Sequence, residues 1–288
     1  MDMKQLRYFV AVADEGSISS AAKKLYLTQP PLSTQLKELE AELGCVLFER
    51  GPRRITLTEP GKTLYSYAKS ILDLTRVAKE EVADTADTER GTVRIGIVSS
   101  LACGKALKWI SDFVENNPEI RFEITEGNTY QLLELMKSGV IHLALIRTPY
   151  QKDGTLSFPL ATDRMVAVGR PEFFSDSEKI AIRDLEKFPL IVYRRWEATL
   201  KEVFEKQEIR PKIRILADDA RTVVKCAELG LGLAVVPRSA VEVLDESTAC
   251  VREINGASLE SAMEIVRPDS GYLPECCRRF LDFLKNGK

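Results

Sequence analysis

The sequence predicts an α/β protein in three successive parts. A small helical module closed by a hairpin comes first, then one long helix, then a larger module of alternating strands and helices. Three observations carry this reading. Apolar residues in 1–60 recur at helical spacing between turn signals. Residues 64–78 carry a seven-residue apolar repeat. After Gly91, short apolar runs alternate with helical patterns, as in parallel sheets with crossover helices.

Leu6, Phe9, Val10 and Ala13 mark one face of a first helix that Gly16 stops. Ser17 caps a second helix through Ala21, Ala22 and Leu25, and Thr28 caps a third beginning at Gln29. Pro30 and Pro31 fall in the first turn of that helix, where backbone N–H groups have no intrahelical partner and proline costs little. Gly44 ends it. Residues 47–50 and 54–58 read as two short strands around a Gly51-Pro52 turn. From 60 to 90 the pattern is one long helix: Leu64, Ile71 and Ala78 repeat every seven residues, with Tyr67 and Leu74 at the d spacing of a coiled-coil seam that Glu81 ends. Residues 83–91 are polar and glycine-broken, a linker.

Beyond Gly91 the expected strands are 92–98, 120–125, 143–146, 165–168, 190–193, 212–216 and 233–236. Helices fall between them: through Leu107, Ile110, Phe113 and Val114; at Leu132, Leu133 and Met136; over 196–207; and over 219–229. Ligands in such folds bind outside the carboxyl ends of the strands.

Composition narrows the function. The 288 residues carry 41 Lys+Arg against 43 Asp+Glu, so whole-chain charge gives no hint of a nucleic-acid partner. The single histidine, His142, excludes a multi-histidine metal site and leaves one candidate for a Ser-His-Asp or Cys-His arrangement. It lies at a strand start, away from any obvious nucleophile, and no Gly-rich phosphate loop is present, so enzyme chemistry is disfavoured and no cofactor is expected. His142 reads as a partly buried structural residue rather than a proton sensor. Cys45, Cys103, Cys226, Cys250, Cys276 and Cys277 lack zinc-ligand spacing and read as small buried hydrophobes. Adjacent residues do not share a helix face, so at most one of Cys276 and Cys277 is expected to pack fully inward. The N-terminus lacks a signal-peptide pattern and no apolar run reaches the ~18 residues of a membrane span. A reducing cytoplasm and no membrane partner are expected.

The third helix is the informative one. At ~100° per residue, Leu32, Leu36, Leu39 and Leu43 share an arc of roughly 60°, while Pro30, Ser33, Thr34 and Lys37 cluster on another face. A preceding helix across Tyr26-Leu27-Thr28 makes a helix-turn-helix layout, whose second helix enters the major groove. Hydroxyl and amide side chains there can bond base edges or phosphates, and Lys37 can neutralise a phosphate. The bland alternative is an amphipathic helix with a solvated face. The hairpin argues against it: Arg50, Arg53 and Arg54 surround Gly51-Pro52, a basic tip suited to backbone phosphate or the minor groove. Residues 17–58 hold six cations (Lys23, Lys24, Lys37, Arg50, Arg53, Arg54) against four carboxylates, a local excess that the whole-chain balance hides.

Leu6-Arg7-Tyr8-Phe9-Val10-Ala11-Val12-Ala13, Ser17-Ile18-Ser19-Ser20-Ala21-Ala22, Leu27-Thr28-Gln29-Pro30-Pro31-Leu32-Ser33, Leu39-Glu40 through Leu43-Gly44, Leu47-Phe48-Glu49-Arg50 and Leu57-Thr58-Glu59-Pro60-Gly61 resemble the N-terminal domain of LysR-type transcriptional regulators. The match is dense over 1–62; the remainder fits the family in length and element order. The resemblance implies a winged helix-turn-helix over 1–60, a dimerising linker helix over 61–90, and an effector-binding domain over 91–288 like a type 2 periplasmic binding protein. That domain is expected as two α/β subdomains joined by two crossover strands, 91–161 with 267–288, and 162–266. It also places Gln29, Pro30, Ser33, Thr34 and Lys37 on or beside the recognition helix and Arg53 in the wing. Thr34 departs from the family pattern, where a long basic or amide side chain is common, and its short hydroxyl reaches less far.

The effector is expected in the cleft between subdomains. Ser99-Ser100 end the first strand, Asn128-Thr129 open the second helix of this domain, and Arg147-Thr148 follow the third strand; the resemblance assigns all three loops to the cleft. Arg195 and Trp196, after the 190–193 strand, are wall candidates from the second half. Each hydroxyl could equally be a helix cap; three such loops converging at strand carboxyl ends favour a pocket, and hydroxyls with arginines favour a small organic anion. The expected partners are operator DNA, that effector, further copies of the chain as a dimer or tetramer, and RNA polymerase as a candidate. The alternative is a redox sensor on the same scaffold using Cys103 or the Cys226/Cys250 pair. A pure solute-binding protein is opposed by the N-terminal helices.

Overall fold

A computed structural model describes residues 1–51, 55–84, 90–102, 104–174, 177–245, 247–256 and 259–287. They fall into two compact units, Met1–Ala83 with Ser138–Val140, and Asp84–Lys137 with Ile141–Lys288.

The first unit opens with α1 (Met3–Glu15), whose N-terminus carries a reciprocal cap: Asp2 accepts from the Gln5 N–H at 2.7 Å, and the Gln5 side chain accepts from the Asp2 N–H. Ser17 caps α2 (Ile18–Lys24) by accepting from Ser20 N. The third helix, α3 (Gln29–Leu43), departs from expectation at its start. Thr28 is the N-cap residue, but its side chain makes no capping bond. A cap accepts from the second or third helical N–H, and those residues are Pro30 and Pro31, which have none. Leu6, Phe9, Ala21, Ala22, Leu32, Leu36, Leu39 and Leu47 make the core that locks the three helices together.

The hairpin consists of β1 (Phe48–Arg50) and β2 (Ile55–Leu57), antiparallel with Phe48 opposite Leu57 and Arg50 opposite Ile55. Leu47 and Thr58, expected as the outer ends of the two strands, lie just outside them. Thr58 then serves two elements: its hydroxyl donates to Val46 O at 2.7 Å and accepts from Gly61 N at 3.0 Å, starting α4 (Glu59–Asp84). Gly61 has to lack a side chain, because a Cβ there would lie 2.1 Å from Leu47 O.

In the second unit, β3 (Gly91–Ile97), β4 (Ile120–Glu126) and β5 (Leu143–Arg147) are parallel, in the order β4-β3-β5. The helices α5 (Lys105–Glu115) and α6 (Thr129–Lys137) connect them. The chain then leaves on β6 (Thr155–Gly169) and returns on β12 (Glu260–Pro268), which pairs antiparallel with both β5 and β6. The second half holds β8 (Pro189–Tyr193), β9 (Lys212–Ala217) and β10 (Leu233–Pro237), with α7 (Glu197–Lys206) and α8 (Ala220–Glu228) between them. Here β8 is parallel to β9 and β10, while β10 is antiparallel to β6. Short strands β7 (Lys179–Ala181) and β11 (Cys250–Asn255) extend this sheet from β6.

The sheet is therefore mixed, where alternation predicted parallel strands. The expected strand 165–168 is the tail of the 15-residue β6. Its apolar end lies in the second half's core with Ile191, Val192, Val223, Val224, Val235 and Val236. The last helix, α9 (Glu275–Asn286), returns to the first half and buries Cys276, Cys277, Phe280, Leu281 and Leu284. Phe280 stacks edge-on with Phe113 of α5 and Phe122 of β4. Both cysteines are buried, against the expectation of one. Cys276 finds room because Gly91 has no side chain: a Cβ there would lie 2.9 Å from its Sγ. Cys277 Sγ lies 3.2 Å from His142 Nδ1, and His142 is buried as a structural residue.

Candidate functional site

The polar face of α3 is open. Gln29, Pro30, Thr34 and Lys37 are exposed and Ser33 is half-buried, while Leu32, Leu36 and Leu39 turn inward. Thr34 gives its hydroxyl back to its own helix, donating to Pro30 O at 3.1 Å, and retains only acceptor capacity outward. Gln29 is held from α2: Ser19 Oγ donates to Gln29 Oε1 at 2.9 Å. Ser19 was not among the expected site residues; its spacing within α2 gives no sign that it reaches the next helix. The backbone of Arg50 ends β1; Arg53, Arg54 and the Arg50 side chain lie outside the described residues, as does Cys103.

In the second unit the carboxyl ends of the strands meet elements of the opposite half. Ser99 Oγ accepts from Ala220 N at the start of α8. Asn128 Oδ1 accepts from Gln131 N at 3.0 Å, and Gln131 returns the bond, a capping box at α6. Next to it Thr129 is fully buried, and its Oγ1 has no hydrogen-bond partner. Thr148 Oγ1 accepts from Ala262 N, fixing the loop after β5 to β12.

Arg147 was expected as a ligand-facing cation. It is 0% exposed and fully engaged inside the protein. Its Nε donates to Ser100 Oγ at 2.9 Å, one terminal nitrogen donates to Ser261 Oγ at 3.1 Å, and the other to Asp163 Oδ2 at 2.8 Å and to Ser239 Oγ. Burial pushes its pKa down, against the opposing pull of Asp163. The residue is a clasp tying β5, both crossover strands and the turn after β10, and the Asp163 carboxylate neutralises it. Asp163, Ser239 and Ser261 lie far away in sequence, so no spacing could have named them.

Arg195 is different. It sits in the 3-10 turn Arg194–Trp196 after β8, and its terminal nitrogen donates across to the carbonyls of Arg147 and Pro149. Burial lowers its pKa. Its Nε is buried with no hydrogen-bond partner, and no carboxylate among the described residues pairs with it. Trp196 is buried, and its indole Nε1 is likewise without a partner. On the rim, Arg221 bridges Asp219 and Glu126, both at 2.6 Å, joining α8 to the end of β4. Cys226 and Cys250 are half-buried free thiols. Among the described residues, no helix is long and apolar enough to cross a membrane.

The fold and these two sites define a class: a transcription regulator with a helix-turn-helix module and a separate two-half ligand module. The pattern described as "Bacterial regulatory helix-turn-helix protein, lysR family" matches residues 3–62, and "LysR substrate binding domain" matches residues 86–288. The chain belongs to the LysR family of transcriptional regulators, whose members are regulators rather than enzymes. It is similar to the HTH-type transcriptional regulator BsdA of Bacillus subtilis, 32% identical, with 98% of this chain and 99% of the relative covered. CfxR of Cupriavidus necator is 29% identical over 98% of this chain and 91% of its own. The crystal structure of CbnR, a LysR family transcriptional regulator, superposes with a TM-score of 0.83 at 22% identity, with 99% of both chains covered. CbnR complexed with its target DNA gives 0.81 at 22% identity over the whole of both chains.

Proposed function

We propose that this regulator reads operator DNA with α3 and the β1–β2 hairpin, and that a small organic anion bound between the two halves of the second unit sets its activity. Gln29, Pro30, Ser33, Thr34 and Lys37 face the major groove, and Arg50, Arg53 and Arg54 meet backbone phosphate or the minor groove. The effector contacts are Ser99, Asn128, Thr129, Thr148, Arg195 and Trp196, with Ser100 and the Arg147 clasp behind them. The protein works in the cytoplasm as a dimer paired through α4, and as a tetramer on DNA. The single observation that carries the anion is Arg195: a cation in a burying environment, with an unpartnered Nε and no carboxylate partner among the described residues, leaves its counter-charge to a ligand. Thr129 Oγ1 and Trp196 Nε1 add buried polar atoms that still need partners.

The test has two arms. Ser33→Ala with Arg53→Ala weakens operator binding by roughly tenfold or more, at about 1–3 kcal/mol per base or phosphate contact, and leaves the dimer intact; retained affinity rejects the DNA-reading face. A thermal-shift screen of small carboxylates finds a ligand that stabilises the wild type by mass action. Thr129→Val removes that shift but keeps operator binding; a surviving shift moves the pocket elsewhere. Unchanged DNA binding and effector response after thiol alkylation dispose of the redox alternative.

A further inference from the structure

We infer that Ser19 is a positioning residue for base readout, fixing the amide of Gln29 so that it faces DNA as a hydrogen-bond donor. The inference rests on the reading of Gln29 as a base contact. The bond itself, Ser19 Oγ to Gln29 Oε1 at 2.9 Å, runs between the second residue of α2 and the first of α3.

Neither helix needs this bond to fold. Ser17 already caps α2 by accepting from Ser20 N. The turn is closed by backbone bonds, Leu27 N to Ala22 O at 2.8 Å and Tyr26 N to Lys23 O at 3.1 Å, with Tyr26 in the left-handed region at φ 56°. Ala21, Ala22 and Leu32 pack the two helices together beneath it. Ser19 and Gln29 are both exposed, so the bond adds little to stability in water. What it does is select one orientation of a long side chain before DNA arrives.

The chosen orientation has a chemical consequence. A free glutamine offers an acceptor and a donor together, the complement of adenine's N6 and N7. With Oε1 engaged by Ser19, the outward group is the Nε2 amide, which donates only. Guanine sets two acceptors, O6 and N7, side by side and thymine offers O4, whereas adenine has its one acceptor, N7, beside the N6 donor, so a donor-only amide fits adenine less well. Ser19 thus biases this position of the operator away from adenine.

The experiment is a double-mutant cycle on the full chain, with an operator duplex selected by the wild type from randomised DNA. Ser19→Ala lowers affinity by about five-fold, the effect of ordering one long side chain on binding rather than beforehand, and Ser19→Thr restores it. Ser19→Ala adds no further loss in the Gln29→Ala background, and both variants relax preference at the same base position, Ser19→Ala by admitting adenine. Thermal unfolding of Ser19→Ala matches the wild type. Losses that add, or wild-type affinity in Ser19→Ala, overturn the positioning role. If Gln29→Ala itself binds normally, the base-contact reading fails, and the inference with it.

Discussion

Removing the Asp163 carboxylate would leave the Arg147 guanidinium buried among three serine hydroxyls with no counter-charge. Such a break costs about 3–5 kcal/mol, far more than the net worth of the intact pair. Asp163→Ala is therefore expected to shift the urea midpoint strongly downward in equilibrium unfolding of the full chain. A variant within ~1 kcal/mol of the wild type would reject the clasp. The residue scale is also where sequence reading was weakest. Both Arg147 and Arg195 read as candidate effector cations, and they differ because one meets Asp163 from β6 and the other, among the described residues, meets carbonyl oxygens. Charge compensation is a property of long-range neighbours. Local chemistry was more legible: Asn128 does cap its helix, but Thr28 does not, and the reason was already present in the two prolines that follow it.

On α4, the heptad residues Tyr67, Ile71, Leu74 and Ala78 remain exposed in the single chain, while Leu64 is half-buried against the helical core. Tyr67 is 66% exposed, Leu74 44% and Ile71 36%. Apolar side chains at a/d spacing along one helix are a pairing seam. Ile71→Glu with Leu74→Glu is expected to give monomers in sedimentation equilibrium while preserving the α1–α3 fold by circular dichroism; a dimer that persists would place the interface elsewhere. Periodicity made this element legible. It hid β6, whose middle carries Pro159 and the polar run Thr162, Asp163 and Arg164. That strand pairs with β12, β10 and β11 in turn, so no single face of it is consistently apolar and only its buried end reads as a strand.

Across the second unit, Asp219 and Arg221 hold the start of α8 and reach the opposite half through Glu126. Hydrogen bonding from the Arg221 side chain holds the Asp219 carboxyl below its usual 3.8. The folded state is thus the more acidic one. Its contribution is complete above 3.8 and is lost as pH falls through the depressed folded value. Asp219→Asn should therefore be less stable than the wild type at neutral pH, and the gap should close as acid titrates the wild-type carboxylate. A gap independent of pH in urea unfolding would reject the Asp219 charge as its source, since asparagine keeps the helix cap. At this scale the presence of a helix-turn-helix module followed by a two-half ligand module was legible from motif density and element order. The electrostatic ties between halves were not, because they join residues that the chain separates widely.

The return of β12 and α9 to the first half bears on synthesis. A ribosome releases the chain from its N-terminus, so the helix-turn-helix unit, whose core lies within the earliest residues, can assemble early. The first half of the ligand module cannot. Its sheet lacks β12, and its aromatic core lacks Phe280, until nearly the whole chain has emerged. The nascent regulator therefore passes through an interval with a formed DNA-reading module and an unfinished sensor. A stop codon just before α9 would prolong that interval indefinitely.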